Sequence, residues 1–227
     1  KLYFDEKKYF KLLRKIVGLP YKYLLEIIKI FFLIDKKNLD VKSFDFLKEK
    51  TLDELFIFFN SDKGSKVLVK NKILNGHNYS PIYEKHLMKY KSKNKIKILE
   101  IGSHIGASAA SFYKYFENAK IYCLDVSPFQ IKYFSKNLNK IYVNTRYRKT
   151  LNQVSNYLDN EFDMIIDDGS HNKRDQILTL NYFLPKLKKG GNYVIEDTCE
   201  YLHSPWLNDD NLDYGVNEFF KSIYQTG

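Results

Sequence analysis

Phe162-Asp163-Met164-Ile165-Ile166-Asp167-Asp168-Gly169-Ser170-His171 and Gly190-Gly191-Asn192-Tyr193-Val194-Ile195-Glu196-Asp197-Thr198 are two short apolar runs that each stop abruptly in acidic residues. A run of this length, bounded by glycine and joined to a helical segment, reads as a buried parallel strand. Between them, Arg174 to Lys188 has helical spacing, with Ile177, Leu178, Leu180, Phe183, Leu184 and Leu187 on one apolar side. The unit is strand, helix, strand, with a right-handed crossover. Asp168, His171, Glu196 and Asp197 then lie just past the carboxyl ends of two strands, where open α/β sheets place their ligands.

Neighbouring strand ends are roughly 5 Å apart. Three carboxylates at that spacing repel one another, so they require a cation or a proton held through a raised pKa. An all-oxygen set suits a hard ion, Mg²⁺ first, then Mn²⁺ or Ca²⁺. The plainer alternative is that Asp167, Asp168, Glu196 and Asp197 are polar strand ends that stabilise the following helix or loop. A histidine three residues beyond Asp168 favours a site.

The alternation extends towards the amino terminus. Ile96, Ile98, Leu99 and Ile101 form a strand, followed by Gly102-Ser103-His104-Ile105-Gly106 and a helix from Ala107 to Phe116. Glycines at 102 and 106 allow a tight turn and close approach of backbone to ligand at a helix start. The small residues Ala107 to Ser111 let that helix pack closely on the sheet. A second strand, Ile121 to Leu124, ends at Asp125, roughly the twenty-residue distance expected of a ribose-binding carboxylate. The glycine spacing is not the G-x-G-x-x-G of dinucleotide sites, which favours a smaller adenosyl cofactor over NAD. A helix from Pro128 to Leu138 and a strand near Ile141 to Asn144 are expected to continue the pattern.

Residues 1 to about 60 read as a helical extension, with stripes at Tyr9 to Ile16, Tyr21 to Leu33 and Thr51 to Phe59, the last capped by Thr51 or Asp53. It packs on the sheet or, as the weaker option, on a second copy. A polar loop, Ser61-Asp62-Lys63-Gly64 and Gly76-His77-Asn78-Tyr79, precedes an amphipathic helix from Pro81 to Tyr90. After Asp197 a loop through Trp206 and a short helix, Val216 to Tyr224, are expected, with the strands that complete such a sheet missing from this sequence. The expected division is an extension over 1–60 and the α/β domain over 61–227.

The chain has 227 residues, 44% of them hydrophobic, enough for one substantial domain and an extension. Its mean hydropathy of -0.44 fits a soluble protein. The net charge of +10 raises nucleic acid as a partner, yet there are four arginines and the lysines are scattered along the chain. A solvated surface is the better reading, and no nucleic-acid partner is expected. Cys123 and Cys199, without a leader, do not make a disulfide scaffold. Cys123 reads as an inert core thiol and Cys199 as a residue beside the acidic cluster. The most apolar stretch, Leu24 to Ile34, contains Glu26 and Lys29 and is too short to span a bilayer, so a cytoplasmic location is expected.

Glu100-x-Gly102-x-x-x-Gly106, Asp125 and Asp167-Asp168 resemble the class I S-adenosylmethionine-dependent methyltransferases, a Rossmann-like doubly wound, mostly parallel α/β fold. Asp167-Asp168-Gly169-Ser170-His171 with Glu196-Asp197, Ser61-Asp62-Lys63-Gly64 and His77-x-Tyr79 is similar to the metal-dependent mycinamicin and macrocin sugar O-methyltransferases, and to cephalosporin-hydroxylase-like proteins. The resemblance covers about residues 61 to 200. It implies S-adenosylmethionine and Mg²⁺ or Mn²⁺ as cofactors, with Asp168, Glu196 and Asp197 as metal ligands. His171 is implied as general base beside Asp168, the alternative being a helix-capping or metal-orienting histidine. Glu100, Gly102, Ser103, Gly106, Asp125 and Asp167, with Asp62, Lys63, His77 and Tyr79, are implied on the cofactor side. Related sequences tend to carry a Gly-Asp-Gln-type segment after the third strand, where this chain reads Asn144-Thr145-Arg146-Tyr147-Arg148. The implied acceptor is a sugar or glycan hydroxyl. A catechol-like diol, and a non-catalytic cofactor-binding module of a larger glycan-building chain, stand as the alternatives.

Overall fold

The computed structural model describes residues 39–91, 95–116, 119–158 and 161–198. In chain order the elements are β1 (Leu39–Asp40), α1 (Leu52–Phe59), β2 (Lys66–Val69), β3 (Lys72–Asn75), α2 (Ser80–Leu87), β4 (Ile96–Ile101) and α3 (Ala107–Tyr115). Then come β5 (Ala119–Asp125), β6 (Tyr133–Phe134), β7 (Leu138–Tyr142), α4 (Arg148–Tyr157), β8 (Phe162–Asp167), α5 (Lys173–Phe183) and β9 (Leu187–Ile195). The stripes at Tyr9–Ile16 and Tyr21–Leu33, Cys199 and everything else beyond Thr198 lie outside the described residues.

Five strands form one all-parallel sheet in the order β7-β5-β4-β8-β9. The chain winds outward from β4 through β5 to β7, then returns to the other side of β4 for β8 and β9. The order therefore reverses between β4 and β8, and the crevice at their carboxyl ends is the switch point of a doubly wound sheet. Side-chain alternation along the strands feeds two cores. Ile96, Ile98, Met164 and Ile166 face one layer with Phe56, Phe59, Tyr83 and Phe112, while Leu99, Ile101, Ile165 and Leu124 face the other with Leu151, Leu178 and Phe183.

The first core shows why residues 39–60 share the compact unit of the sheet. The α1 helix starts on a capping box: Thr51 accepts from the Glu54 N–H at 3.2 Å, and Glu54 accepts from the Thr51 N–H at 2.9 Å. Asp53, the alternative cap, instead accepts from Ser65 and Ser80. Leu52, Leu55, Phe56 and Phe59 are buried, and Phe56 meets Phe112 and Tyr83 edge to face.

Three expectations are corrected. Pro128 to Leu138 is not a helix: it is one 3₁₀ turn, Pro128–Gln130, followed by β6 and the start of β7. Here burial has period two, with Ile131 and Tyr133 inside and Phe134 outside, and Lys132 is pulled into extended contacts by Ile105 and Leu39. Tertiary pairing overrides the local pattern. The helix expected to Lys188 ends at Phe183, because Pro185 has no N–H to continue it. The strand expected from Gly190 begins at Leu187, and its register with β8 breaks between Phe162 and Met164. Gly190, at φ 76°, lets the extra residues loop out. The short strand β1, the β2–β3 hairpin and α4 had not been anticipated. Among the described residues no helix is long and apolar enough to cross a membrane.

Candidate active site

One side of the crevice is built of backbone. Past β4 the chain turns at Gly102, with φ 84°, where an added Cβ would lie 1.9 Å from the Asp168 carbonyl oxygen. Only glycine fits this approach. The Gly102 N–H donates to the Leu124 carbonyl, and the Gly106 N–H to that of Ser103. Gly106, φ 81°, precedes α3. At the end of β5 the Asp125 carboxylate accepts from two backbone N–H groups, His104 on Oδ2 and Ser127 on Oδ1, each at 2.7 Å. A cavity of about 350 Å³ opens there, walled by Gly102, Leu124, Asp125, Val126, Asn144 to Arg146, Gly169 and Ser170. Glu100 and Ser103 lie buried beneath it; Glu100 accepts from Ser108 through Oε1, while its buried Oε2 has no partner. Burial raises the Glu100 pKa.

The other side is built of side chains. Asp167 points into the second core, where it accepts from Thr179 and from the Gly169 N–H, and burial pushes its carboxyl up to about 7. Asp168 turns the opposite way, into the crevice. Its Oδ2 accepts from the Lys63 ammonium, and its Oδ1 stands 3.9 Å from His171 Nε2. Glu196, buried, accepts from Lys63 on Oε2 at 2.6 Å and from the Tyr83 hydroxyl on Oε1. Asp197 accepts from the Tyr79 hydroxyl on Oδ1 at 3.1 Å and has Oδ2 3.9 Å from His171 Nδ1. Burial pushes the Asp168 and Glu196 carboxyls up, with Lys63 the main opposing charge. Burial alone would lower Lys63, but Asp168 and Glu196 outweigh it and hold the ammonium protonated. Burial, then the Asp197 charge, raises the Tyr79 hydroxyl to about 12.

His171 and Asp197 both occupy the left-handed backbone region, at φ 55° and 52°. Such positions cost energy for side chains other than glycine and cluster at sites. Asp168, His171 and Asp197 can each bring one ligand atom within 4.8 Å of the others. A second cavity, of about 360 Å³, begins at Glu196, Asp197 and Thr198 and runs between Tyr79, Ile82, Tyr83, Leu87 and Val194. Two cavities therefore flank one group of titratable side chains at the switch point.

Residues 99–198, which supply most of both walls, match the family model described as a methyltransferase domain. The stretch of the chain that builds the crevice is thus similar to a methyltransferase domain. The chain is 28% identical over 137 residues to mycinamicin VI 2''-O-methyltransferase of Micromonospora griseorubida, covering 53% of this chain and 31% of that one. It is 23% identical over 128 residues to 8-demethyl-8-alpha-L-rhamnosyl tetracenomycin-C 2'-O-methyltransferase of Streptomyces olivaceus, covering 53% and 33%. Among solved structures it resembles the MycE methyltransferase of the mycinamycin biosynthetic pathway in complex with Mg and SAH, with a TM-score of 0.63 and 21% identity over 78% of this chain and 46% of that one. The chain spans about a third of the length of the curated relatives it matches.

The residues expected on the cofactor side divide. Gly102 and Asp125 wall the first cavity, and Gly106 sets the helix behind it. Asp62 and His77 are on the surface, their side chains 3.8 Å apart. Lys63 is inside the acidic cluster, and Tyr79 joins that cluster through Asp197. Of the expected ligands, Asp168 and Asp197 face His171, while both oxygens of Glu196 face Lys63 and Tyr83. The segment Asn144-Thr145-Arg146 lines the first cavity beside Asp125. Gln176, unanticipated, fixes the last strand by donating from Nε2 to the Glu196 carbonyl at 3.1 Å. Tyr83 was equally unanticipated as a partner of Glu196; its place on the inner side of an amphipathic helix was the available signal. Cys123 is a buried free thiol, as expected.

Proposed function

We propose that this chain transfers a methyl group from S-adenosylmethionine to a hydroxyl of a sugar or glycan acceptor, assisted by Mg²⁺ or Mn²⁺. The observation that carries the proposal is the arrangement at the switch point. A glycine-turned cavity with a tethered Asp125 meets a second cavity across Asp168, His171 and Asp197. Its acceptor class rests on the sugar O-methyltransferase names of the relatives.

The residues fit both cofactors. Gly102 and Gly169 leave backbone bare where an adenosyl group would approach, and Asp125 would accept from ribose hydroxyls at the cavity wall. The carboxylates of Asp168 and Asp197 can bring oxygen atoms within 4.8 Å of each other and of His171, and oxygen donors suit a hard divalent ion, while His171 Nδ1 is buried without a hydrogen-bond partner. When bound, S-adenosylmethionine supplies the electrophilic methyl group and the divalent ion lowers the pKa of the acceptor hydroxyl.

The chain's own part is placement and proton removal. Asp168 and Asp197 would hold the ion, with Glu196 one layer deeper. His171, between them, would take the hydroxyl proton as the oxygen attacks. The wall of the second cavity would exclude water from the acceptor and align it with the first.

The test is calorimetric titration of the 227-residue chain with S-adenosylmethionine, in Mg²⁺ and in EDTA, followed by methyl transfer to a panel of glycosides and catechols. Cofactor binding in both, with glycoside methylation that EDTA abolishes, is the expected result. Failure to bind S-adenosylmethionine would overturn the proposal. Methylation confined to catechols would move the acceptor to aromatic diols.

A further inference from the structure

Lys63 has an unusual place for a surface-rich residue type. Its side chain is 3% exposed, and its ammonium bonds to Asp168 Oδ2 and Glu196 Oε2 across 105 and 133 residues of sequence. The loop that delivers it is clamped by backbone: the His77 N–H donates to the Asp62 carbonyl at 2.7 Å, and the Tyr79 N–H to that of Lys63 at 2.9 Å. Lys63 is thus held in position from its own main chain outward.

Its partners are divided by it. Glu196 spends both oxygens inward, on Lys63 and Tyr83, and its carbonyl is tied to Gln176. Asp168 gives Oδ2 to Lys63 and leaves Oδ1 facing His171. Asp197, turned by its left-handed backbone, faces His171 as well. The cluster therefore has an inner layer already supplied with a cation and an outer layer without one. A buried carboxylate pair deprived of its cation is strongly destabilised, whereas a compensated one is not.

Resting on the divalent-ion reading above, we propose that Lys63 is the resident cation of this site. It neutralises Glu196 and one oxygen of Asp168, and confines a divalent ion to the outer position at Asp168 Oδ1 and Asp197, beside His171. It also keeps the acidic strand ends assembled when that ion is gone. Lys63 is a positioning residue: its effect on chemistry passes through Asp168.

The experiment compares wild type with Lys63→Met by thermal melting in EDTA and in Mn²⁺, with Mn²⁺ binding read by electron paramagnetic resonance of the free ion. Wild type is expected to stay folded in EDTA. Lys63→Met is expected to melt well below it in EDTA, to recover most of the deficit in Mn²⁺, and to bind Mn²⁺ at least tenfold tighter, because Glu196 is released to it. Unchanged or weaker Mn²⁺ binding by the folded variant, or a deficit that Mn²⁺ leaves in place, overturns the proposal.

Should Lys63→Met not fold, the double variant Lys63→Met/Glu196→Gln removes both inner charges. It is expected to fold in EDTA and to bind Mn²⁺ within about threefold of wild type. Loss of Mn²⁺ binding there would make Glu196 a ligand and overturn the confinement. Binding is read without acceptor or methyl donor, so a failure of the methyl-transfer reading leaves these results standing. A wild type that takes up no Mn²⁺ would sink the divalent-ion reading and this assignment together.

Discussion

The two walls of the crevice are made of different material. On the β4–β5 side, position is set by main chain: Gly102 lies against the Asp168 carbonyl, and Asp125 is held by two N–H groups, 2 and 21 residues away in sequence. On the β8–β9 side, position is set by side chains that arrive from far away, Lys63 and Tyr83 reaching Glu196 across 133 and 113 residues. The first wall is rigid because peptide groups have few alternatives. The second is strong but conditional, since removing one member leaves others buried and uncompensated.

The contrast can be broken most severely at Gly102. Gly102→Ala places a methyl group against backbone at a positive φ, where neither neighbour is a side chain that can swing away. The expected result is loss of S-adenosylmethionine binding and destabilisation on the order of 3 kcal/mol, read by calorimetry and thermal melting. One step smaller is the paired exchange of carboxylates. Asp168→Asn should lower turnover between about 10²- and 10⁴-fold while S-adenosylmethionine affinity changes little. Asp125→Asn should do the reverse, weakening the cofactor about tenfold with Mn²⁺ binding retained. Identical losses in both would erase the division between the walls.

Tyr79→Phe sharpens the comparison further. It deletes one donor to Asp197, at 3.1 Å, and leaves the ring in place. Turnover is expected to fall by about three- to tenfold, equivalent to ~1 kcal/mol, with melting unchanged. The smallest effect belongs to the scaffold. Burial raises the Asp53 pKa, but its bonds to Ser65 and Ser80 outweigh this and hold it below the ordinary 3.8. Its stabilisation is therefore complete above pH 3.8 and fades as pH falls through the lower folded value. Asp53→Asn should cost ~1 kcal/mol at neutral pH, solvent at its edge keeping the figure low, and the gap from wild type should close in acid. Urea melts at several pH values measure this.

What could be read from sequence follows the same division. The β4 turn, Asp125, β8 and the Thr51 cap are encoded in contiguous residues, so glycine placement and apolar run length located them. The hairpin was also within reach. Lys70 and Asn71, both at positive φ, form its two-residue turn between the apolar runs Val67 to Val69 and Ile73 to Leu74. Leu151, Val154 and Leu158 likewise carried the spacing of α4. Lys63 was not legible as an internal cation. A lysine in a polar loop has every local mark of a solvated residue, and only the closing of a loop onto two distant strand ends buries it. Pro128 to Leu138 failed for a related reason, since β6 exists through pairing with β1, whose partner residue Leu39 is 94 positions from Tyr133.

The touch of Gly102 on the Asp168 carbonyl also has a mechanical meaning. Two peptide groups packed this closely have no side-chain rotamer with which to absorb strain. Whatever coupling this contact carries between the two sides is thermodynamically reciprocal, each ligand altering the other's affinity by the same factor.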